Sequence, residues 1–533
     1  MKNNNINQEA HQKKSALVFI ICIILVAFLG YFVKVQLNDH SKKFFFVEDY
    51  RESLDKDDGV SILRAMSAAD KNGSGEVILE NKEYEISFSE LEIPSNVTLK
   101  GKGNKSKIKT NIDGSIFKVS GEKNIGIIGI EFQGPNNKTN VLEVDTTNGV
   151  YIKDCKAINV RLFKSILPTN IKYSNMSKNY LNKNISIINN LATGYDKSLP
   201  ESCISLGFVK NVTVKGNRIS NYYHGISWWG GDSNTNVNGD LTNPRWAIDI
   251  FISRNKVSNI HMGGIWGSMG YNVIVSNGNI VKNCGDVGID FEGSISSKAV
   301  GNYVENCTNG AITTFFRNKD ILISKNTVKA NTNGQYLFKI YNSSKHQNES
   351  IKVFNNNFIF SGKGIGYVGG EQIDSMYFSE NKLVNVAINF YSINYKKITI
   401  SNNELMFSND AQKITAIYIS SLIKNGTVDI RNNNIESKYQ LNNGNRGIYV
   451  ELNDHNSSTT ANIEKNRIVG FVIDIECFSN SKNQGINSNF NVKDNLMASR
   501  NLLFRKNSTN KGTLSLSGNY DENKILYNPT ITK

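Results

Sequence analysis

Asp290 and Glu292 stand two residues apart in Gly288-Ile289-Asp290-Phe291-Glu292. An alternating stretch of this kind forms a strand with both carboxylates on one face and Phe291 on the other. Carboxylates at i and i+2 on a strand lie roughly 6.5–7 Å apart. That falls within the separation of about 6.5–9.5 Å at which inverting glycosidases hold a general acid and a general base. Asp286 lies four residues earlier, in the preceding turn. The same three acids, Asp286, Asp290 and Glu292, offer oxygen ligands of the kind Ca²⁺ takes. A lyase could use such an ion to neutralise a uronate carboxylate. A third reading leaves them as ordinary solvated acids.

Other residues gather around this pair. His224 and His261, two of only 6 histidines, each stand shortly before a Gly that opens a strand, where an imidazole can serve as general acid or base. Aligning successive segments on that Gly gives Gly225-Ile226-Ser227-Trp228-Trp229, Gly264-Ile265-Trp266-Gly267-Ser268, Gly288-Ile289-Asp290-Phe291-Glu292 and Gly310-Ala311-Ile312-Thr313-Thr314. With the residue after Gly pointing inward, Ser227, Trp229, Trp266, Ser268, Asp290 and Glu292 share an outer face. Ile226, Trp228, Ile265, Ile289 and Phe291 point in. Trp faces stack on flat apolar surfaces such as sugar rings, so Trp229 and Trp266, with Ser227 and Ser268, are candidate substrate-binding residues. Arg245, in the long Gly230–Trp246 insertion, and Arg317, two segments on, could each pair with a substrate carboxylate.

These residues must be positioned by a repeat. An apolar-x-apolar-x-x-Asn-x-apolar unit recurs, as in Val212-Thr213-Val214-Lys215-Gly216-Asn217-Arg218-Ile219 and Ile250-Phe251-Ile252-Ser253-Arg254-Asn255-Lys256-Val257. The Asn position is assigned next to Gly278, Asn302, Asn326, Asn357, Asn381, Asn403, Asn433, Asn466, Asn495 and Asn519. A period of about 20–50 residues marks a solenoid or propeller. The units contain short period-2 strands and no helical periodicity, which predicts a parallel β-helix with one shared core. Asn at a bend tolerates left-handed φ and can bond its neighbour in the stack.

The 533 residues divide into a tail (1–14), a membrane anchor (15–35), a linker (36–56) carrying Phe44-Phe45-Phe46-Val47, and a solenoid (57–533). Ser15 to Val33 carries no charge and is long enough to span a hydrocarbon core of about 30 Å. It is longer than the apolar region of a cleaved signal peptide, about 7–15 residues, and no small-x-small cleavage site follows. The expected arrangement is a single-pass anchor with the solenoid exported, periplasmic or extracellular. Net charge is +14, which favours anionic partners such as acidic polysaccharide or lipid head groups. No Lys/Arg-dense stripe with interleaved aromatics suggests nucleic acid. The 6 cysteines show no metal-ligand spacing. Cys284 and Cys307 fall at equivalent bends of adjacent units, close enough for a disulfide, and read in preference as two stacked buried thiols.

Asp57-Asp58-Gly59 leads into Ser61–Ala69, with apolar residues at helical spacing. Gly73–Leu79, Tyr84–Ile86 and Leu91–Gly103 follow as strands and a Gly-rich turn. A helix covering the first turn of a solenoid protects strand edges and core. This stretch resembles the N-terminal region of the pectate-lyase superfamily of right-handed β-helix proteins, and the later units resemble that group's repeats. The resemblance implies an all-β, right-handed parallel β-helix with an N-terminal capping helix, here preceded by one transmembrane helix. It also implies a long polysaccharide bound along an outer sheet face. The polygalacturonase motifs are not reproduced. Only Tyr223-His224-Gly225 approaches one, and the Asp-Pro-His element of alginate epimerases is absent. The expectation is an exported, anchored protein cleaving an acidic polysaccharide as a lyase or glycoside hydrolase. The alternatives are a uronan C5-epimerase, a non-catalytic polysaccharide-binding or assembly factor, and a surface adhesin. No cofactor is expected beyond the possible Ca²⁺.

Overall fold

A computed structural model describes residues 43–523, apart from 103–104, 232–243, 342–347, 372, 393–394, 409–413, 422–425, 439–443, 453–458, 480–487, 500 and 507–512. Three long sheets of 18, 16 and 15 strands run the length of the molecule. The chain visits each in turn and advances one rung per circuit. Neighbouring strands pair in parallel, as Val212↔Ile250↔Val273 in the 18-stranded sheet and Val257↔Val281↔Val304 in the 16-stranded sheet show. This is a parallel β-helix. Its core is one continuous column of aliphatic and aromatic side chains drawn from every rung. Each rung buries its apolar residues only against its neighbours, so the core extends without a domain boundary.

The asparagine ladder is present, with two corrections. Each rung from Asn190 to Asn495 supplies an Asn whose Nδ2 donates to the Oδ1 of the next, and the ladder ends on Asn519. Asn302 to Asn326 (3.0 Å) and Asn326 to Asn356 (2.9 Å) are typical steps. The ladder residues are Asn279 and Asn356, where Gly278 and Asn357 are expected. The left-handed residue is not the ladder Asn but the one before it: Gly216, Arg254, Gly278, Gly301, Lys325, Asn355 and Glu380 all have φ between 55° and 83°. The bend thus takes an unfavourable backbone conformation at one position, and the next side chain offsets its cost with buried hydrogen bonds.

The helix α1, Asp58–Lys71, is capped by Asp57, whose carboxylate accepts from the Gly59 N–H at 2.7 Å. Its buried face, Ile62, Ala65, Met66 and Ala69, joins the core at the N-terminal end. Phe44–Phe46, expected within a linker, is the first strand of the solenoid and pairs with Gly75–Leu79. Cys284 and Cys307 are register partners, and both are buried free thiols. The expected anchor at 15–35 lies outside the described residues. Among the described residues no helix is long and apolar enough to cross a membrane.

Candidate functional site

Five successive strands of the 15-stranded sheet carry the candidate site: His224–Trp229, Ile265–Ser268, Val287–Glu292, Gly310–Phe315 and Tyr336–Tyr341. Their outward residues form two straight rows. One reads Ser227, Trp266, Asp290, Thr313, Lys339, and the other reads Trp229, Ser268, Glu292, Phe315, Tyr341. The inward row contains Trp228 and Phe291, both fully buried. Trp228 fits because Gly267 pairs with it: a Cβ at Gly267 would lie 2.3 Å from the indole. The alignment on Gly310 is corrected by one residue. Gly310 pairs with Val287 and Ile312 with Ile289, so Thr313, not Ile312, stands beside Asp290.

The rows open into a cleft of about 520 Å³ lined by Tyr223, His224, Met262, Trp266, Asp286, Asp290, Glu292, Asn309, Phe315, Phe316, Lys339 and Tyr341. Asp290 forms its floor and is only 1% exposed. Burial pushes its carboxyl up to about 7, and the Asp286 charge adds to the rise. Hydrogen bonds from Thr313 and with Glu292 act the other way. Asp290 therefore carries its proton to near neutral pH. Its bonding to Glu292 corrects the expectation that these two carboxyls stand apart across a glycosidic bond. Asp286 also lines the cleft, and its charge reaches Asp290. Among the described residues no three His, Cys, Asp or Glu side chains group as a metal site.

His224 is half-buried, and its ring lies 4.7 Å from that of Trp266 at 37°. Its Nδ1 accepts from the Gly263 N–H at 3.1 Å, which leaves the ring proton on Nε2. Burial, with His261 nearby, lowers its pKa to about 4. His224 is therefore a neutral hydrogen-bond donor. Lys339 donates to Asn309 Oδ1 at 2.5 Å, and burial lowers its pKa against the opposing charges of Asp286 and Glu371.

Other expected residues take different places. His261 is exposed in its turn, 5.1 Å from the Tyr223 ring, and does not line the cleft. Arg245 is 5% exposed, its Nε donates to the Gly293 carbonyl at 3.0 Å, and it does not line the cleft. Arg317 sits in the turn after Phe315 at φ 50°, outside the cleft lining. Ser227 bonds to Ser202 at 2.7 Å, Ser268 is fully buried, and neither is among the residues lining the cleft. Trp229 is 40% exposed on the same face, beyond the cleft. Most of the insertion holding Arg245, residues 232–243, lies outside the described residues.

Sequence reasoning missed Thr313, Lys339, Phe315, Phe316 and Tyr341. The alternation in Tyr336-Leu337-Phe338-Lys339-Ile340-Tyr341 carries the signal, but only once the rung before it is in register.

No family model and no curated protein matches the sequence. Solved structures do match. Pre-mature gene product 12 of bacteriophage phi29 superposes with a TM-score of 0.51 at 13% identity, over 91% of this chain and 75% of that one. The A-module of the mannuronan C-5 epimerase AlgE4 of Azotobacter vinelandii gives a TM-score of 0.33 at 14% identity, over 83% of this chain and 100% of that one. A DFA-IIIase of Arthrobacter chlorophenolicus gives 0.40 at 11% identity, over 74% and 94%. The class of protein is thus a parallel β-helix protein. The likeness at these identities is one of fold.

Proposed function

We propose that this protein is a glycan-cleaving β-helix enzyme whose cleft hydrolyses a glycosidic bond. The observation carrying this reading is Asp290: a carboxyl buried on the floor of an aromatic-walled cleft, protonated to about pH 7, beside Asp286. Glycoside hydrolysis needs one carboxyl that holds its proton and one that is ionised. In this reading Asp290 gives its proton to the glycosidic oxygen as the C–O bond breaks. Asp286 takes a proton from the water whose oxygen bonds to the anomeric carbon. Glu292 and Thr313 hold the Asp290 carboxyl in place. The Nε2–H of His224 and the ring of Trp266 orient the sugar.

The charge of the cleft supports an uncharged glycan over the acidic polymer suggested by net charge. Three carboxyl groups face Lys339, and the two arginines expected to bind a uronate lie elsewhere. A lyase or C5-epimerase must neutralise a uronate carboxylate, and this cleft supplies little for that. The uncharged run at 15–33 supports export of the solenoid to where such glycans lie.

The test incubates the full-length protein and its Asp290→Asn variant with neutral and uronate polysaccharides. New reducing ends from a neutral polymer, lost in the variant, are expected. An unsaturated product from a uronate polymer would replace hydrolysis with β-elimination. Retention of a polymer without cleavage would make the cleft a binding surface.

A further inference from the structure

The wall of the cleft across from Trp266 is a triangle of rings. The centroids of Phe315, Phe316 and Tyr341 lie 5.9 to 6.1 Å apart, and all three residues line the cleft. Phe315 is buried and backs the other two, with Phe316 half-buried and Tyr341 40% exposed. Phe316 stands in the turn after its strand at φ 56°, and Arg317 follows at 50°. On the two preceding rungs the same turn position is held by Gly293 and Met269, at φ 54° and 52°. The turn therefore imposes a left-handed residue, and glycine meets that demand at no steric cost. A phenylalanine there carries a backbone penalty that the turn itself does not require. What it adds is an aromatic ring at the edge of the cleft. Gly293, on the rung before, has no side chain to stand between that ring and the cleft.

The rung of Asp290 lies between the two walls. Trp266 pairs with Asp290, Asp290 pairs with Thr313, and Phe316 comes three residues after Thr313. Two rungs of about 4.8 Å and three residues of about 3.3 Å put the Cα positions of Trp266 and Phe316 roughly 14 Å apart, on a line oblique to the solenoid axis. Aromatic faces stack on the apolar faces of sugars. Two linked sugars, one on each platform, bring the bond that joins them over Asp290 and Glu292. Along the axis the outward row offers no such continuation nearby. Buried Gly369 and then Asn389 follow Lys339, and the next aromatic residues on the row are Tyr418 and Tyr449, stacked at 5.2 Å.

We infer that Phe316, with Tyr341, is a positioning residue: the platform for the sugar on the far side of the scissile bond from Trp266, so that the glycan crosses the cleft obliquely to the solenoid axis. This rests on the reading of the cleft as a glycan site, and it adds a second sugar position and a course for the chain. Loss of the Phe316 ring should weaken substrate binding without touching the proton transfer at Asp290.

The experiment uses full-length protein with laminarin, xylan, galactomannan and pullulan, and with oligosaccharides of graded length from whichever is retained in affinity gels. Phe316→Gly, Phe316→Tyr and Tyr418→Ala are compared with wild type. Glycine suits the left-handed turn, so Phe316→Gly should fold, and Phe316→Leu keeps apolar packing without a flat face if the glycine variant loses stability. The ringless variant should raise KM several-fold with kcat little changed, the pattern of lost uniform binding, and Phe316→Tyr should restore KM. Tyr418→Ala should leave KM at the wild-type value for chains of every length. If a polymer is bound without cleavage, the same comparison is read as retention in the gels. Unchanged KM in Phe316→Gly and Phe316→Leu, with Asp290→Asn inactive, would overturn the platform and leave the cleft standing. A raised KM for long chains in Tyr418→Ala would overturn the oblique course and lay the glycan along the axis. No retention or turnover of any of these polymers by wild type would overturn both readings.

Discussion

Thr313 Oγ1 donates a 2.5 Å hydrogen bond to Asp290 Oδ1 from the neighbouring rung. The two residues are 23 apart in sequence and adjacent across the parallel pair. This bond fixes the orientation of a carboxyl that burial keeps protonated. Rung stacking, which buries this Asp, is thus what raises its pKa.

Asp290→Asn preserves the shape and removes the ionisable group. Loss of a general acid typically costs about 10²–10⁴-fold in rate, and kcat on a cleaved glycan should fall within that range. The same variant should be more stable than wild type at pH 8. An ordinary Asp in the unfolded chain loses its proton near 3.8, whereas the folded group holds its own to about 7. Stability therefore falls as pH rises through this window. The advantage of the variant, a few kcal/mol at most from about 1.4 kcal/mol per pKa unit, should vanish below pH 4. Melting curves from pH 3 to 8 check this.

His224 behaves in the opposite sense. Its folded pKa is about 4 against 6.5 for a free imidazole. The unfolded chain takes up a proton near pH 6.5 and the folded one does not until near 4. Stability present above pH 6.5 is lost as pH falls between these values. His224→Gln should flatten the melting temperature across that interval, and the His224 ring signals in NMR should stay neutral down to about pH 4.

Trp229→Ala removes an exposed ring two rungs from Glu292 on its own row. Its melting temperature should stay near that of wild type. If the ring stacks on a sugar, KM should rise by roughly 2- to 10-fold, corresponding to about 0.5–1.5 kcal/mol for an aromatic contact. An unchanged KM would confine the binding surface to the cleft.

Asn326→Ala tests the ladder. Its amide donates to Ala299 O and Asn356 Oδ1, both at 2.9 Å, and its oxygen accepts from Asn302. Removing it strands buried groups on both neighbouring rungs, each costing about 1–3 kcal/mol. The melting temperature should fall clearly, with kcat and KM unaltered in the protein that remains folded.

The sequence by itself determined the solenoid, the helix at its start and the inward or outward sense of residues 225–229, 264–268 and 288–292. Period-2 alternation and a repeating Asn are local signals, and a stack of rungs needs little more. Register is different. Gly310 pairs with Val287 rather than Gly288, so an alignment on the Gly assigns every side chain of that strand to the opposite face, and the true register is set by pairing with the next rung. Only the tertiary structure could bring Thr313 and Lys339 to the cleft and send Arg317, Arg245 and Ser268 away from it. It alone decided that Asp290 is a buried acid bonded to Glu292, because burial depends on what the adjacent rungs place above and below.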